Sequence, residues 1–376
     1  MARIFVLILL FGAAQPALAQ ESAEESAPEP RGGFILVPPS AWYDNWVFLL
    51  QGFYSGLDGF GLGVEATRPF EVPLLSKYAD SDVELKFSGR LYEDMHGEFE
   101  VNADASFSEM RWSVRTLLAH STRLREFWGV GPNLSDEGRE RYRPHELRFY
   151  VEGLRNIERL RIGLRFEVHD YGYLELADGG LLQSGEFIGV SASGETVAGA
   201  GLTWDYDSRD DRYAPTSGWR VRGNLMGFNA ITSGRTGFLN TSLDVRTYLS
   251  TSPRNVFALQ AFTFAVNADA PIWRYAAIGG REHTRGYSRN RYLDQRLLAA
   301  QVEWRRHLYR RVGLQVFGGS ALVSPSWGKL QVRYHRPTIG AGLSIVIPQV
   351  SNTAIRGDLA FGDESVHGRL ALGLAF

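Results

Sequence analysis

Cysteine is absent from the 376 residues. That removes disulfide scaffolds, thiolate-bound zinc and thiol nucleophiles together. Lysine is nearly absent: of 40 basic residues only Lys77, Lys86 and Lys329 are lysines, and all others are arginines. The planar arginine fork bonds several partners at once and suits a crowded polar interior. Neither sign of charge dominates, and a net charge of -2 offers no basic face for nucleic acid. Beyond the N-terminus no run of 18 uninterrupted apolar residues occurs, which excludes membrane-spanning helices. The histidines at 96, 120, 145, 169, 283, 307, 335 and 367 are scattered, without metal-ligand spacing. His169-Asp170 reads as a strand end beside a turn aspartate. There is no Gly-x-Ser-x-Gly elbow and no phosphate-binding loop. The acidic run around Asp207, Asp210 and Asp211 does not follow the calcium-loop order. These absences predict a protein that is not an enzyme, with no catalytic residue, no cofactor and no metal.

What is present begins with an address. Met1-Ala2-Arg3 is a short positive start, Ile4 to Ala13 is apolar, and Ala17-Leu18-Ala19 fits a small-x-small cleavage site. Residues 1–19 read as a secretory signal peptide. Residues 20–42 are acidic and Pro-containing (Glu21-Ser-Ala-Glu-Glu-Ser-Ala-Pro-Glu-Pro-Arg31) and read as a disordered linker. A segment this short has no room for a folded periplasmic module.

From residue 43 onward the chain alternates. In 97–107, Phe99, Val101, Ala103, Ala105 and Phe107 share one face, while Glu98, Glu100, Asn102, Asp104 and Ser106 share the other. Side chains along a strand point to opposite faces with period two, so this is a half-apolar strand. The same pattern sets Leu160, Ile162, Leu164, Phe166 and Val168 against Arg159, Arg161, Arg165, Glu167 and His169. It also sets Leu239, Leu243, Val245 and Leu249 against Asn240, Ser242, Asp244 and Arg246, and it recurs at the C-terminus. The runs are 10 to 12 residues long, which suits tilted strands crossing a bilayer rather than the shorter strands of soluble sheets. Inside a membrane, backbone groups can bond only to one another, so such a sheet must close. The expectation is an all-β fold: a transmembrane antiparallel β-barrel over 43–376, probably of 16 strands, in a bacterial cell outer membrane. The strands are expected at 43–53, 59–70, 81–92, 97–107, 110–118, 143–154, 159–169, 196–206, 218–228, 239–249, 255–266, 296–308, 312–322, 338–347, 353–361 and 366–376. The long connections 119–142, 170–195, 229–238, 267–295 and 323–337 then fall on the outer rim and the short ones on the periplasmic rim.

Gly279-Gly280-Arg-Glu-His-Thr-Arg285-Gly286-Tyr287, followed by Asp294-Gln295, resembles the sixth extracellular loop of the BamA/TamA-type barrels, the bacterial surface antigen family. Trp204-Asp-Tyr-Asp207-Ser-Arg209-Asp210 with Pro215-Thr-Ser-Gly218 is similar to that family's Tyr-Asp-x-Arg-Asp…Pro-Thr-x-Gly hairpin. Phe127-Trp-Gly129-Val-Gly131-Pro is similar to its aromatic Gly-x-Gly loop. The resemblance implies that the sixth loop folds into the lumen and that its Arg285 meets acidic residues on the next two strands. Glu303 stands on the polar face of 296–308, with Gln301 and Arg305, where it could meet Arg285 in a charge-assisted pair. On the following strand the family usually places an aspartate within Phe-x-Asp-x-Gly, but here the residues are Phe317-Gly318-Gly319-Ser320, and Thr284 stands where valine is usual. A single salt bridge, or help from another lumen acid, is therefore expected. Phe376 after Leu370, Leu372 and Leu374 resembles the terminal signal by which barrels are recognised during assembly.

The resemblance implies a role in outer-membrane protein insertion, secretion or envelope assembly, and the short segment 20–42 leads us to expect the barrel alone, without the POTRA domains that the family's client-handling members carry. The implied partners are outer-membrane lipid, the barrel assembly machinery during biogenesis, and a separate periplasmic adaptor. The mechanism it implies is a weak seam between first and last strands, eased by a small lumen side of the last strand (Gly368, Ala371, Gly373, Ala375). The alternative is a passive channel or structural barrel that kept the fold, with Arg161, Arg165, Glu167, Asp244 and Arg246 lining or plugging its pore.

Overall fold

The computed structural model describes residues 7–8, 33–36, 47–55, 59–70, 81–107, 111–135, 138–184, 187–190, 194–211, 214–235, 237–267, 269–279, 283–347, 353–363 and 365–372. Sixteen strands form one antiparallel meander, in which each pairs with its neighbour in sequence. They are β1 (Val47–Ser55), β2 (Gly59–Phe70), β3 (Ser81–Tyr92), β4 (Gly97–Phe107), β5 (Trp112–Ser121), β6 (Glu140–Ile157), β7 (Leu160–Glu175), β8 (Glu195–Asp207), β9 (Gly218–Ala230), β10 (Phe238–Ser252), β11 (Asn255–Val266), β12 (Arg296–Tyr309), β13 (Val312–Ser324), β14 (Arg336–Ile347), β15 (Thr353–Phe361) and β16 (Val366–Leu372). Gly33–Leu36 runs antiparallel to β1 and pairs with Leu7–Ile8, so a short strand lies within the segment expected to be disordered. No helix among the described residues is long and apolar enough to cross a membrane.

The burial pattern is inverted relative to a soluble protein. Leu164 on β7 is 68% exposed, whereas its neighbours Arg165 and Glu167 are buried. Leu298 and Val302 on β12 face outward, while Gln301, Glu303 and Arg305 point in. Ile339, Leu343 and Leu359 repeat the outward apolar face on β14 and β15. A sheet that turns aliphatic residues out and charges in is stable only with lipid outside and a polar lumen inside. The chain is thus a sixteen-stranded outer-membrane β-barrel.

The strands agree with the alternation read from sequence, and most differences lie at their outer ends. β6 and β7 are 18 and 16 residues long and extend past the span a bilayer requires. His169 therefore lies inside β7, facing the lumen, and not at a strand end beside a turn. Periplasmic turns are short: Glu158-Arg159 and Arg310-Arg311 each join two strands, and Glu158 and Arg310 take φ of 51° and 48°. Two-residue hairpins need such a left-handed first residue to match the twist of the strands. On β16 the lumen parity is set by buried His367, so Gly368 belongs to the outward face with exposed Val366, correcting its expected place on the small lumen side.

Polar-inward alternation fails in one region. Toward the extracellular end, Met226 and Phe228 on β9, Leu297 and Ala299 on β12 and Val323 on β13 all point inward and are buried. They are covered by the connection 267–295.

Candidate functional site: the loop folded into the lumen

The connection 267–295 between β11 and β12, here loop 6, contains a small hairpin in which Ala276–Ile278 pairs with Tyr292–Asp294. Ala276, Ile278, Tyr287 and Tyr292 of this loop pack on Leu297, Ala299, Ala321 and Val323 of the inner wall. Loop 6 is therefore a packed element inside the barrel. Burial pushes the Asp294 carboxyl above its ordinary range, against the hydrogen bond from the Gln295 amide.

Arg285 sits at the inner end of the loop, buried. It donates from Nη2 to Glu303 Oε2 at 3.0 Å and to Gln301 Oε1 at 3.1 Å, and from Nη1 to Asp358 Oδ2 at 3.2 Å. Its guanidinium carbon lies 3.6 Å from the centre of the Phe317 ring. Glu303 is fully buried and also accepts from Arg356 Nη1 and Nη2 at 2.8 and 2.7 Å and from Arg305 Nε at 2.7 Å. Arg356 Nε in turn donates to Asp358 Oδ1 at 2.6 Å. The site is a lattice of three guanidiniums on two carboxylates, each carboxylate shared. Charge-assisted, two-pronged contacts of this kind fix orientation as well as position.

The acid missing from β13 is supplied by β15. Gly319 stands where the family's aspartate would, and a Cβ there would meet Ala300 O at 2.6 Å and Gln301 Cβ at 2.8 Å. The wall is too close to β12 at that point to carry a side chain. Asp358 approaches Arg285 from the other side instead, so of the two expected arrangements the structure has the one in which another lumen acid helps Glu303.

The neighbouring residues tie the loop to the last hairpin. Gly286 has φ of +103°, and a Cβ on it would meet Phe361 C at 2.8 Å and Gly362 N at 2.9 Å, so glycine is required by both conformation and space. Ser365 Oγ donates to Gly286 O at 2.8 Å. Tyr287 Oη donates to Pro337 O at 2.6 Å and accepts from the Asp363 amide at 3.3 Å. Thr338 Oγ1 donates to Arg285 O. Gly279 has φ of +104° and accommodates Ser288 O, which a Cβ would strike at 1.9 Å; its amide donates to Thr284 Oγ1 at 2.7 Å. Gly280 and Phe376 lie outside the described residues.

The hairpin residues form a separate structure on the periplasmic rim. Arg209 grips Asp207 with Nε and Nη2 at 2.9 and 2.7 Å. Asp210 accepts from the amides of Asp211, Thr216 and Ser217 at 3.0, 2.9 and 3.1 Å, and from the Thr216 hydroxyl. Partial desolvation raises the Asp210 carboxyl, but these hydrogen bonds outweigh it and hold it below its ordinary value. Pro215 is buried in the turn, and Gly218 takes φ of +98° where a Cβ would meet Ser208 O at 2.4 Å. These bonds lock the turn between β8 and β9.

The residues expected to line or plug a pore are cross-linked by ion pairs. Arg161 bridges Asp104 and Asp205 at 3.4 and 3.2 Å. Arg165 reaches Glu152 at 2.6 Å, Asp244 pairs with Arg246, and Arg115 joins Asp104, Glu152 and Asp205. The aromatic Gly-x-Gly segment closes the outer end: Gly131 N donates to Leu293 O at 2.7 Å, Arg336 donates to Pro132 O at 2.7 Å, and Phe127 packs with Leu182, Ile272 and Leu293.

Sequence reasoning missed Arg274. It lies in loop 6, buried, and donates from Nη1 to Glu167 Oε1 at 2.7 Å. The signal was present: Glu167 and His169 stood on the lumen face of β7 without an assigned partner, and Arg274 is the one cation in an apolar-aromatic stretch, Ile272-Trp273-Arg274-Tyr275.

A barrel whose sixth outer loop enters the lumen through an Arg-Gly-Tyr turn defines a class of outer-membrane protein. The profile of the Omp85 superfamily domain matches residues 55–327, and the chain belongs to that superfamily. No curated protein matches it in sequence. Among solved structures it is similar to BamA from Haemophilus ducreyi lacking POTRA domains 1–3, with TM-score 0.53 and 11% identity over 91% of this chain and 74% of that one. It is also similar to CdiB from Escherichia coli, with TM-score 0.55 and 12% identity over 92% and 68%. A third is CdiB from Acinetobacter baumannii, with TM-score 0.55 and 8% identity over 84% of this chain and 57% of that one. At these identities the likeness is one of fold.

Proposed function

We propose that this Omp85 barrel acts in outer-membrane protein insertion, secretion or envelope assembly by movement of its last hairpin, with loop 6 as the brace that limits the movement. The observation that carries this reading is the attachment of Arg285, Gly286 and Tyr287 to β15 and to the turn before β16. β16 pairs with β15 over Val366–Leu372, and among the described residues no ladder joins β16 to β1. A last hairpin tied to an internal loop can be held or released without unfolding the wall. Outer-membrane lipid is the medium into which such a seam would open. The barrel assembly machinery would fold the chain, with Phe376 as its recognition residue, and a separate periplasmic adaptor would deliver clients. The arginine–carboxylate lattice crossing the lumen supports this reading over a passive channel, because an open aqueous pore leaves its wall charges hydrated. Depletion in the native host, followed by quantitative outer-membrane proteomics, tests it. Reduced abundance or misfolding of other barrels is expected. Unchanged envelope composition together with steady single-channel conductance in planar bilayers would establish the passive channel instead.

A further inference from the structure

We infer that Arg274 is a second positioning residue for loop 6, holding it to the wall opposite the Arg285 lattice, and that His169 makes this hold sensitive to protons. Arg285 binds Glu303 on β12 and Asp358 on β15; Arg274 binds Glu167 on β7 and, through Nη2, Asn240 Oδ1 on β10 at 3.3 Å. In a ring of sixteen strands β7 and β15 are eight apart and face one another. Loop 6 is therefore strung across the lumen between two guanidinium tethers rather than pinned at one point. The Arg274 guanidinium carbon also lies 4.4 Å from the Phe228 ring centre, and the Trp273 ring meets His169 edge-on at 4.7 Å and stacks on Tyr171 at 5.0 Å.

The His169 contacts determine its protonation. Arg274 Nη1 lies 3.0 Å from His169 Nδ1, and arginine has no acceptor, so Nδ1 must be the bare, accepting nitrogen. Nε2 then carries the hydrogen and donates to Glu146 Oε1 at 3.0 Å. A proton added at Nδ1 removes the acceptor that Arg274 uses and sets a second cation at hydrogen-bond distance. The groups facing His169 are the carboxylates of Glu146 on β6 and Glu167 on β7, the guanidiniums of Arg148 on β6, Arg274 in loop 6 and Arg125 before β6, and the Tyr171 hydroxyphenyl on β7. With Arg165 of β7, which also reaches Glu167 at 3.4 Å, four guanidiniums already answer these two carboxylates. Arg289 of loop 6 adds positive potential at Glu146. A further cation in this cluster is repelled, and the contact that must yield is that of Arg274, because of these guanidiniums it is the one that donates to the His169 nitrogen taking the proton. Acid therefore loosens the Arg274 end of the loop and leaves the Arg285 end in place.

The absence of cysteine allows a single spin label at Asp269→Cys, an exposed loop 6 position, in barrels refolded into liposomes and checked for folding by heat-modifiable gel migration. Continuous-wave spectra are compared at pH 7.5, above the ordinary histidine pKa of about 6.5, and at pH 5, well below it, because the cations around His169 oppose its protonation. The mobile fraction is expected to rise at least twofold at pH 5 in the parent, to be high at both pH values in Arg274→Gln, and to lose its pH dependence in His169→Gln. In Arg285→Ala the pH-dependent step should persist. A spectrum that does not change between pH 7.5 and 5 in the parent, or a change that survives His169→Gln, overturns the inference. A purely structural Arg274 would loosen the loop on substitution yet leave the parent without a pH step.

Discussion

Glu303 on β12 and Arg356 on β15 form a two-pronged ion pair across the inner wall, at 2.8 and 2.7 Å, and Arg285 is held against that pair at 3.0 Å from the same carboxylate. The loop is thus attached to an ion pair the barrel makes within its own wall. Glu303 is the shared point. Removing it leaves Arg285, Arg305 and Arg356 crowded with only Asp358 between them.

Glu303→Gln should therefore be the most damaging single change in the lattice. Breaking one partner of a buried pair typically costs about 3–5 kcal/mol. The expected outcome is a lower unfolding midpoint in urea for the refolded barrel. A midpoint equal to that of the parent would mean that Glu303 is not the shared point.

Arg285→Ala should expose residues 267–295 to protease and raise conductance noise in planar bilayers, because the loop loses both Glu303 and Asp358. Asp358→Asn should produce a smaller rise, since Glu303 still holds the guanidinium. Equal effects of the two variants would assign the anchoring mainly to Asp358.

Gly286→Ala forces a side chain into φ of +103° and against Phe361 and Gly362. Alanine at a positive φ costs about 1 kcal/mol or more before any clash is counted. The expected result is release of the loop together with increased protease cleavage at the β15–β16 turn. Cleavage confined to the loop would uncouple it from the last hairpin.

Asp210 gives a pH prediction on the periplasmic rim. Its carboxyl is held below its ordinary value by donors from Asp211, Thr216 and Ser217. A depressed folded pKa contributes stability that is fully present above the unfolded value, about 3.9, and is lost as pH falls through the lower folded value. Hydrogen exchange of the Thr216 and Ser217 amides, corrected for intrinsic rates, should stay slow from pH 7 to pH 4 and quicken below that. In Asp210→Ala these amides should exchange fast throughout.

The strand plan was legible because lipid outside and a polar lumen inside impose alternation on each strand, and alternation is a property of sequence alone. Leu164 beside Arg165, and Val302 beside Glu303, carry that information without reference to any other strand. The Arg-Gly-Tyr turn was legible through its resemblance to a known loop motif, and the structure gives the reason for its glycine: Gly286 takes a positive φ against the backbone of Phe361. The reading failed where distant strands determine the outcome. Gly319 has no side chain because β12 lies too close, and the acid that replaces the missing aspartate, Asp358, stands 39 residues further along the chain. Leu297 and Val323 break the lumen polarity because loop 6 covers them.

By itself the sequence determined the sixteen-strand meander, which rests on local patterning, and its resemblance to a known loop motif pointed to the loop that enters the lumen. Only the tertiary structure decided that Arg285 meets Asp358 as well as Glu303, and that Arg274 reaches Glu167 and His169 on the opposite wall. Those pairings depend on the curvature of the closed sheet, which brings together side chains 73 positions apart for Arg285 and Asp358 and 107 for Arg274 and Glu167. Spacing along the chain carries no trace of that distance.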